Sequence, residues 1–214
     1  MKKLRLILGI LAFGSLWGIT ESYIGPALTD LGLPSGGIMT AVFAMSFLLL
    51  SRITFRKPGM QLGMGLVAGS LKLFNPLVAG CHLCSGIAIM AEALVFEIIF
   101  YLLSKNLDEL KSRNIQLSLG IITTYSMYIV GNIITQVMTP IVQGYTFFLN
   151  DLIVFMPRIL SRGLIPAIIG AIMIPIITQS LKLDIKLKDR LYYPSTISIS
   201  LICWFIVIGS WFFV

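Results

Sequence analysis

The feature that most constrains this chain is a series of apolar runs, each close to 20 residues long. Seven of them recur along the 214 residues, at 5–24, 36–53, 59–76, 85–104, 115–138, 163–181 and 194–213. A helix of about 20 apolar residues crosses the hydrocarbon core of a bilayer, which is about 30 Å thick. The sequence therefore predicts an all-α, polytopic transmembrane helix bundle in a lipid bilayer.

Composition excludes the main soluble classes. Charged residues make up only 12% of the chain, whereas a soluble domain has about a quarter. This excludes a soluble enzyme, a disordered protein and a disulfide-stapled secreted module. The net charge of +7 does not indicate a nucleic-acid partner, because the basic residues lie in short clusters between the apolar runs.

These basic clusters alternate between the loops and so predict an orientation. Three basic residues, Lys72, Arg158 and Arg162, fall outside the alternation. Because positively charged loops stay in the cytoplasm, we expect a multi-pass protein of the cytoplasmic membrane, with its N-terminus inside and its C-terminus outside. No clear cleavage site follows the first run, which we interpret as a retained helix rather than a signal peptide. The 13 clustered residues are Lys2, Lys3, Arg5, Arg52, Arg56, Lys57, Lys105, Lys111, Arg113, Lys182, Lys186, Lys188 and Arg190.

The predicted outer loops differ in character. Residues 25–35 form a short turn-rich connection, and residues 76–84 form a second short loop. The stretch 139–162 is longer and too polar to span, but its aromatic residues suit an interfacial or re-entrant lid.

Four charged residues lie inside the apolar segments. Glu21, Lys72 and Glu92 fall in the outer half of the predicted bundle, whereas Glu97 lies deeper and about 140° around the helix from Glu92. A charge near the bilayer centre is costly, so each needs a partner or a wet cavity. Glu21, Lys72 and Glu92 form either a substrate cavity open to the outside, with Lys72 neutralised by one or both of the glutamates, or an ion pair that only holds helices together. We expect Glu97 to contact another helix or a partner.

The segment Cys81-His82-Leu83-Cys84 combines a C-x-x-C pattern with the only histidine. Thiolates and imidazole suit zinc or copper, but these residues alone supply too few ligands, so they are weak metal candidates. A C-x-x-C pair can also cycle between dithiol and disulfide. The third interpretation is a plain disulfide or free thiols beside a cavity.

The arrangement resembles the substrate-binding membrane subunit (S component) of energy-coupling factor transporters over about residues 10–180. The likeness lies in Trp17-Gly18-Ile19-Thr20-Glu21, Gly32-Leu33-Pro34-Ser35-Gly36-Gly37, Arg52…Arg56-Lys57-Pro58-Gly59, Met64-Gly65-Leu66-Val67-Ala68-Gly69-Ser70-Leu71-Lys72 and Ala88-Ile89-Met90-Ala91-Glu92-Ala93. The resemblance implies a six-helix bundle over 1–181 with an outward-facing substrate cavity. Residues 182–214 would then add a basic cytoplasmic loop and a seventh helix that the family does not usually have.

The same resemblance implies a function. The chain would capture a vitamin or other trace nutrient and depend on a membrane coupling subunit and two cytoplasmic ATPases for transport. Small residues on the first helix dock the coupling subunit in that family, and Gly14 and Gly18 have a similar position here. The candidate substrate-binding residues are Glu21, Lys72, Glu92, Trp17 and His82.

Two other functional classes stay open from the sequence. The C-x-x-C pair allows a membrane thiol oxidoreductase that uses Cys81 and Cys84. Purely structural charges would instead indicate a non-catalytic membrane assembly subunit. The sequence contains no P-loop, H-E-x-x-H or G-x-S-x-G motif, so we expect neither an enzyme nor a cofactor.

Overall fold

The computed structural model describes residues 3–75, 81–103, 112–144, 146, 149–180 and 189–212, and its regular structure in these ranges is helical. This confirms the predicted all-α class. The helices are α1 (Lys3–Asp30), α2 (Ser35–Phe55), α3 (Met60–Leu73), α4 (His82–Leu103), α5 (Arg113–Gln143), α6 (Leu149–Arg162), α7 (Leu164–Ser180) and α8 (Asp189–Gly209).

Six helical stretches of the described residues are long and apolar enough to cross a membrane, so the chain is a multi-pass membrane protein. They are α1, α2, α4, α5, the continuous pair α6–α7, and α8. The third predicted segment, 59–76, forms α3, which has only 14 residues and is shorter than the roughly 20 that a full crossing needs. All seven predicted segments thus form helices, and six of the described stretches are long enough to be candidate spans.

Six helices form a row in which each packs against the next, in the order α8, α1, α3, α4, α5 and α7. Helix α2 contacts four of them: α1, α3, α5 and α7. Gly14 of α1 lies against Met64 and Val67, and Gly18 lies against Ala68, so α1 and α3 run parallel. The core of the bundle is apolar, with Trp17 fully buried within it. This packing brings the C-terminal ends of α1 and α3 to one end of the bundle, called the Glu21 end below.

Helix α1 is longer than the sequence predicts, since residues 25–30 continue it instead of beginning a loop. Pro26 lies inside this helix and has no N–H for the carbonyl of Ser22 four residues earlier. Asn75, just beyond α3, donates its side-chain N–H to that carbonyl at 3.1 Å. A neighbouring helix end thus satisfies the group that the proline leaves free.

The predicted outer stretch 139–162 also differs from expectation. Its first residues belong to α5, which continues through Pro140 to Gln143. Its second half is α6, whose Ile153 and Val154 are exposed while Ile159 is buried against the bundle. An exposed apolar side on a short helix fits the expected interfacial segment.

The last helix, α8, packs along α1. Tyr192 donates a hydrogen bond to the carbonyl of Arg5 at 2.9 Å, and Tyr23 donates to the carbonyl of Ile206 at 3.3 Å. These contacts join the start of α1 to the start of α8 and the end of α1 to the end of α8, so the two helices run parallel. The segment that the sequence analysis treats as an addition therefore covers one side of the first helix.

Candidate functional site

A cavity of about 180 Å³ opens at the Glu21 end of the bundle. Glu21, Lys72 and Glu92 all line it, so the structure brings together the three membrane charges that the sequence placed in the outer half. Polar side chains from five further positions also line it: Ser35, Thr40, Ser85, Asn132 and Thr135. Four helices, α1 to α4, and the middle of α5 contribute to this one site.

Glu92 is a nearly buried carboxylate of the cavity, with only 9% of its surface exposed. Its Oε1 accepts a hydrogen bond from the Thr40 hydroxyl at 2.9 Å. Its Oε2 is buried and has no hydrogen-bond partner among the described residues. A buried polar group left unpaired costs about 1–3 kcal/mol, and more when it is charged, so this oxygen has an unused capacity to accept a hydrogen bond.

A glycine on α5 gives the Glu92 carboxylate its space. A Cβ atom added at Gly131 would lie 2.8 Å from Oε1 and 3.3 Å from Cγ of Glu92. Any side chain at this position would therefore push the carboxylate away from Thr40. The backbone of α5 can approach α4 closely here because residue 131 has no side chain.

Lys72 and Glu21 meet through the main chain. The Lys72 ammonium donates a hydrogen bond to the backbone carbonyl of Glu21, not to its carboxylate. The Glu21 carboxylate accepts a hydrogen bond from the Trp17 indole N–H at 3.3 Å. Lys72 thus hydrogen-bonds a neutral carbonyl while its charge interacts with that of the Glu21 carboxylate, and the cation keeps donor capacity for the cavity.

Two predicted substrate-binding residues lie beside the cavity instead of on its wall. Trp17 is fully buried in the apolar core and reaches the site only through Glu21. His82 begins α4, one turn before Ser85, which does line the cavity. The Nδ1 atom of His82 is buried and has no hydrogen-bond partner among the described residues.

The two neighbouring cysteines, Cys81 and Cys84, are joined by a disulfide at the start of α4. Paired sulfurs offer no thiolate to a metal, so this state does not support the weak metal assignment to Cys81, His82 and Cys84. Across the described ranges, no group of three or more His, Cys, Asp or Glu side chains is placed to hold a metal ion. The third cysteine, Cys203, is buried on α8.

Glu97 lies apart from the cavity and caps a helix. Its carboxylate accepts hydrogen bonds from the backbone N–H groups of Gly59 and of Leu62, the latter at 2.8 Å. These groups begin α3, where the first N–H groups have no partner within the helix and the helix dipole favours a negative charge. Glu97 therefore contacts another helix, as the sequence analysis expected.

Gly14 and Gly18 do not form an outward docking stripe. A Cβ atom at Gly14 would lie 2.7 Å from the Val67 Cβ, and one at Gly18 would lie 3.0 Å from the Ala68 backbone. Both glycines are buried against α3, which leaves neither free to contact a separate subunit. The predicted docking role is corrected to close packing within the chain.

Sequence reasoning missed Thr40, Asn132 and Thr135. Thr40 lies in a π-helical stretch of α2, Met39–Ala44, a type of distortion that often occurs at functional sites and that periodicity does not reveal. Asn132 follows Gly131 inside the fifth predicted segment, and this Gly-Asn pair was the available signal.

Comparison of the chain with protein-family models, with curated proteins and with solved structures finds no match in any of the three. No family is thereby identified, and the functional assignment depends on the geometry of the cavity.

Proposed function

We propose that this membrane protein is a solute-binding subunit that captures a small polar molecule in the Glu21–Lys72–Glu92 cavity. The unpaired Oε2 of Glu92 is the observation that carries the proposal. A chain that used Glu92 only to hold helices together would gain from pairing both oxygens, because burial penalises each one left without a donor. A ligand donor that reaches this oxygen removes the penalty.

The other groups of the cavity suit binding more than catalysis. Lys72 and the Asn132 amide can donate hydrogen bonds, Glu21 can accept them, and the hydroxyls of Thr40 and Thr135 can do both. Such a mixed set recognises a molecule that carries several polar groups. The proposal is therefore a binding protein without enzymatic activity of its own.

We further propose that the chain is the capture subunit of an importer of the energy-coupling factor type, for a vitamin or another trace nutrient. The support is the sequence resemblance together with a cavity at one end of a helical bundle. In this proposal the Glu21 end faces outward, the N-terminus lies in the cytoplasm, and a coupling subunit with two ATPases supplies the energy. The docking surface for the coupling subunit would lie elsewhere than at Gly14 and Gly18.

Gentle purification of the tagged chain from its own membranes tests the importer assignment. We expect a membrane coupling subunit and two ATPases to co-purify and to be identified by peptide mass spectrometry. Recovery of the chain without any ATPase, from membranes in which such ATPases are present, would contradict the importer assignment.

The Lys72→Met variant separates a binding site from a structural charge cluster. If Lys72 donates to a ligand, the variant should lose ligand while it still folds, because methionine fills a similar volume without a donor. Lys57→Gln is the matched control, since Lys57 is exposed in the turn between α2 and α3. Unchanged ligand content in Lys72→Met would instead favour the assembly-subunit alternative.

A membrane thiol oxidoreductase is the second candidate, and the Cys81–Cys84 disulfide is the observation that favours it. Cys203 lies on α8 against α1, whereas the pair begins α4, whose main neighbours are α3 and α5. Electrons from the pair would therefore have to pass directly to an external acceptor. Quinone or disulfide reduction that is lost in Cys84→Ser would establish this function in place of solute binding.

A further inference from the structure

The three basic residues that the loop alternation leaves unexplained all line cavities at the same end of the bundle. Lys72 lines the cavity described above, and Arg158 and Arg162 line two others. The two arginines are four residues apart on α6, so their side chains share one face of that helix. Lys and Arg are normally enriched in cytoplasmic loops, whereas these three cations lie at the proposed outer end. A functional role for them would explain this exception.

The cavities at this end adjoin one another around Asn132. Arg158 and Arg162 line a cavity of about 220 Å³ with Tyr128 and Gln136. Arg162 also lines a wider one of about 470 Å³, which the turn at 32–37 borders. Asn132 lines both of these and the Glu92 cavity, so the arginine cavities and the carboxylate cavity meet at this residue.

The chemistry of the two regions is complementary. In the Glu92 cavity, one carboxylate oxygen has no hydrogen-bond donor paired with it among the described residues. Each guanidinium of the α6 pair instead presents a fork of N–H donors that matches a carboxylate or phosphate. We infer that Arg158 and Arg162 bind an oxyanion group of the same small molecule whose donor group is held by Glu92. The ligand class is thus a dipolar molecule with a protonated amine or similar donor at one end and a carboxylate or phosphate at the other.

This inference rests on the proposed solute-binding function and adds a ligand class and two specificity residues to it. A lipid phosphate is the other source of an oxyanion, since arginines on interfacial helices reach for headgroups. The placement favours the solute. The exposed arginines border cavities that they share with buried Tyr128 and with Asn132, so the same cavities that a solute would enter also receive their guanidinium groups.

The test compares matched small molecules on wild type and on the double variant Arg158→Gln/Arg162→Gln. The probes are pairs of metabolites, each a dipolar molecule and its decarboxylated or dephosphorylated amine, and the readout is the dissociation constant from the shift in thermal unfolding in detergent. We expect the dipolar member of a pair to bind wild type about tenfold or more tightly than its amine. The double variant should abolish this preference, and Lys57→Gln should preserve it.

Three results would overturn the inference, and they are distinguishable. If amines bind as well as dipolar molecules and Glu92→Gln alone weakens them, the solute-binding function holds and the arginine site is wrong. If no probe and no co-purified molecule depends on Glu92, both proposals fail. If the double variant keeps the dipolar preference but loses bound phosphatidylglycerol in nanodiscs, the arginines bind lipid.

Discussion

At the residue scale, the account depends on one carboxylate held from one side only. Glu92 accepts a bond from Thr40 through Oε1, while its Oε2 is buried without a partner among the described residues. The sequence predicted that Glu92 needs a partner or a cavity, because charge inside an apolar run is costly. It did not predict Thr40, since a threonine in an apolar helix carries no sign of what it will meet.

Gly131→Ala tests the space that Glu92 occupies. The added Cβ would lie 2.8 Å from Oε1, so the carboxylate must move and ligand affinity should fall about tenfold or more. Ligand titration followed by thermal unfolding measures this loss. Gly25→Ala is the matched control beside the same cavity, because its Cβ would meet Met39 and Lys72 only at 3.8 and 4.0 Å. Equal affinities for the two variants would contradict the assigned geometry.

At the scale of the helices, the hydrophobic segments predicted which helices exist more accurately than where each helix begins and ends. The apolar runs indicated each membrane helix, but α1 and α5 continue through Pro26 and Pro140, which the sequence suggested as loop residues. A proline is better tolerated inside a helix when another group satisfies the carbonyl that it leaves free. Asn75 does so for α1, and a contact between residues 53 positions apart is invisible to local patterns.

Helix packing, rather than partner docking, should dominate the effect of changing Gly14. In Gly14→Ala the new Cβ would lie 2.7 Å from Val67 and 2.8 Å from the Met64 carbonyl, an overpacking that costs about 1–3 kcal/mol. We expect a lower midpoint of thermal unfolding for the isolated chain. Gly209→Ala, whose Cβ meets nothing within 4 Å, should leave the midpoint unchanged. A stable Gly14→Ala chain that loses only a co-purifying subunit would restore the docking interpretation.

At the scale of the whole molecule, the all-α membrane class followed from apolar runs and low charge, because the bilayer allows few alternatives. The seven apolar runs also correspond to seven helices of the bundle, although α3, with 14 residues, is shorter than the usual span. The sequence predicted from their similar depth that Glu21, Lys72 and Glu92 share one site, and the three line one cavity because α1 runs parallel to α3 and α4 returns beside α3.

Cysteine labelling tests the proposed orientation of the molecule. Ser161 lies near the end of α6 at the Glu21 end, and Lys57 lies in the turn between α2 and α3; both are exposed. In intact cells a membrane-impermeant maleimide should label Ser161→Cys, but Lys57→Cys only after permeabilisation. The natural cysteines contribute little background, because Cys81 and Cys84 are paired and Cys203 is buried. The opposite labelling pattern would reverse the orientation and place the cavity on the cytoplasmic side.

The central claim is that the Glu21–Lys72–Glu92 cavity holds a small molecule, and native mass spectrometry of the gently purified chain tests it most directly. We predict one small molecule bound per wild-type chain and per Lys57→Gln chain. Glu92→Gln should lose it, because the glutamine side chain has no charge and presents N–H donors where the ligand's own donor would bind. A wild-type chain that is empty under conditions that preserve its fold, or a ligand retained equally by Glu92→Gln, would contradict the claim.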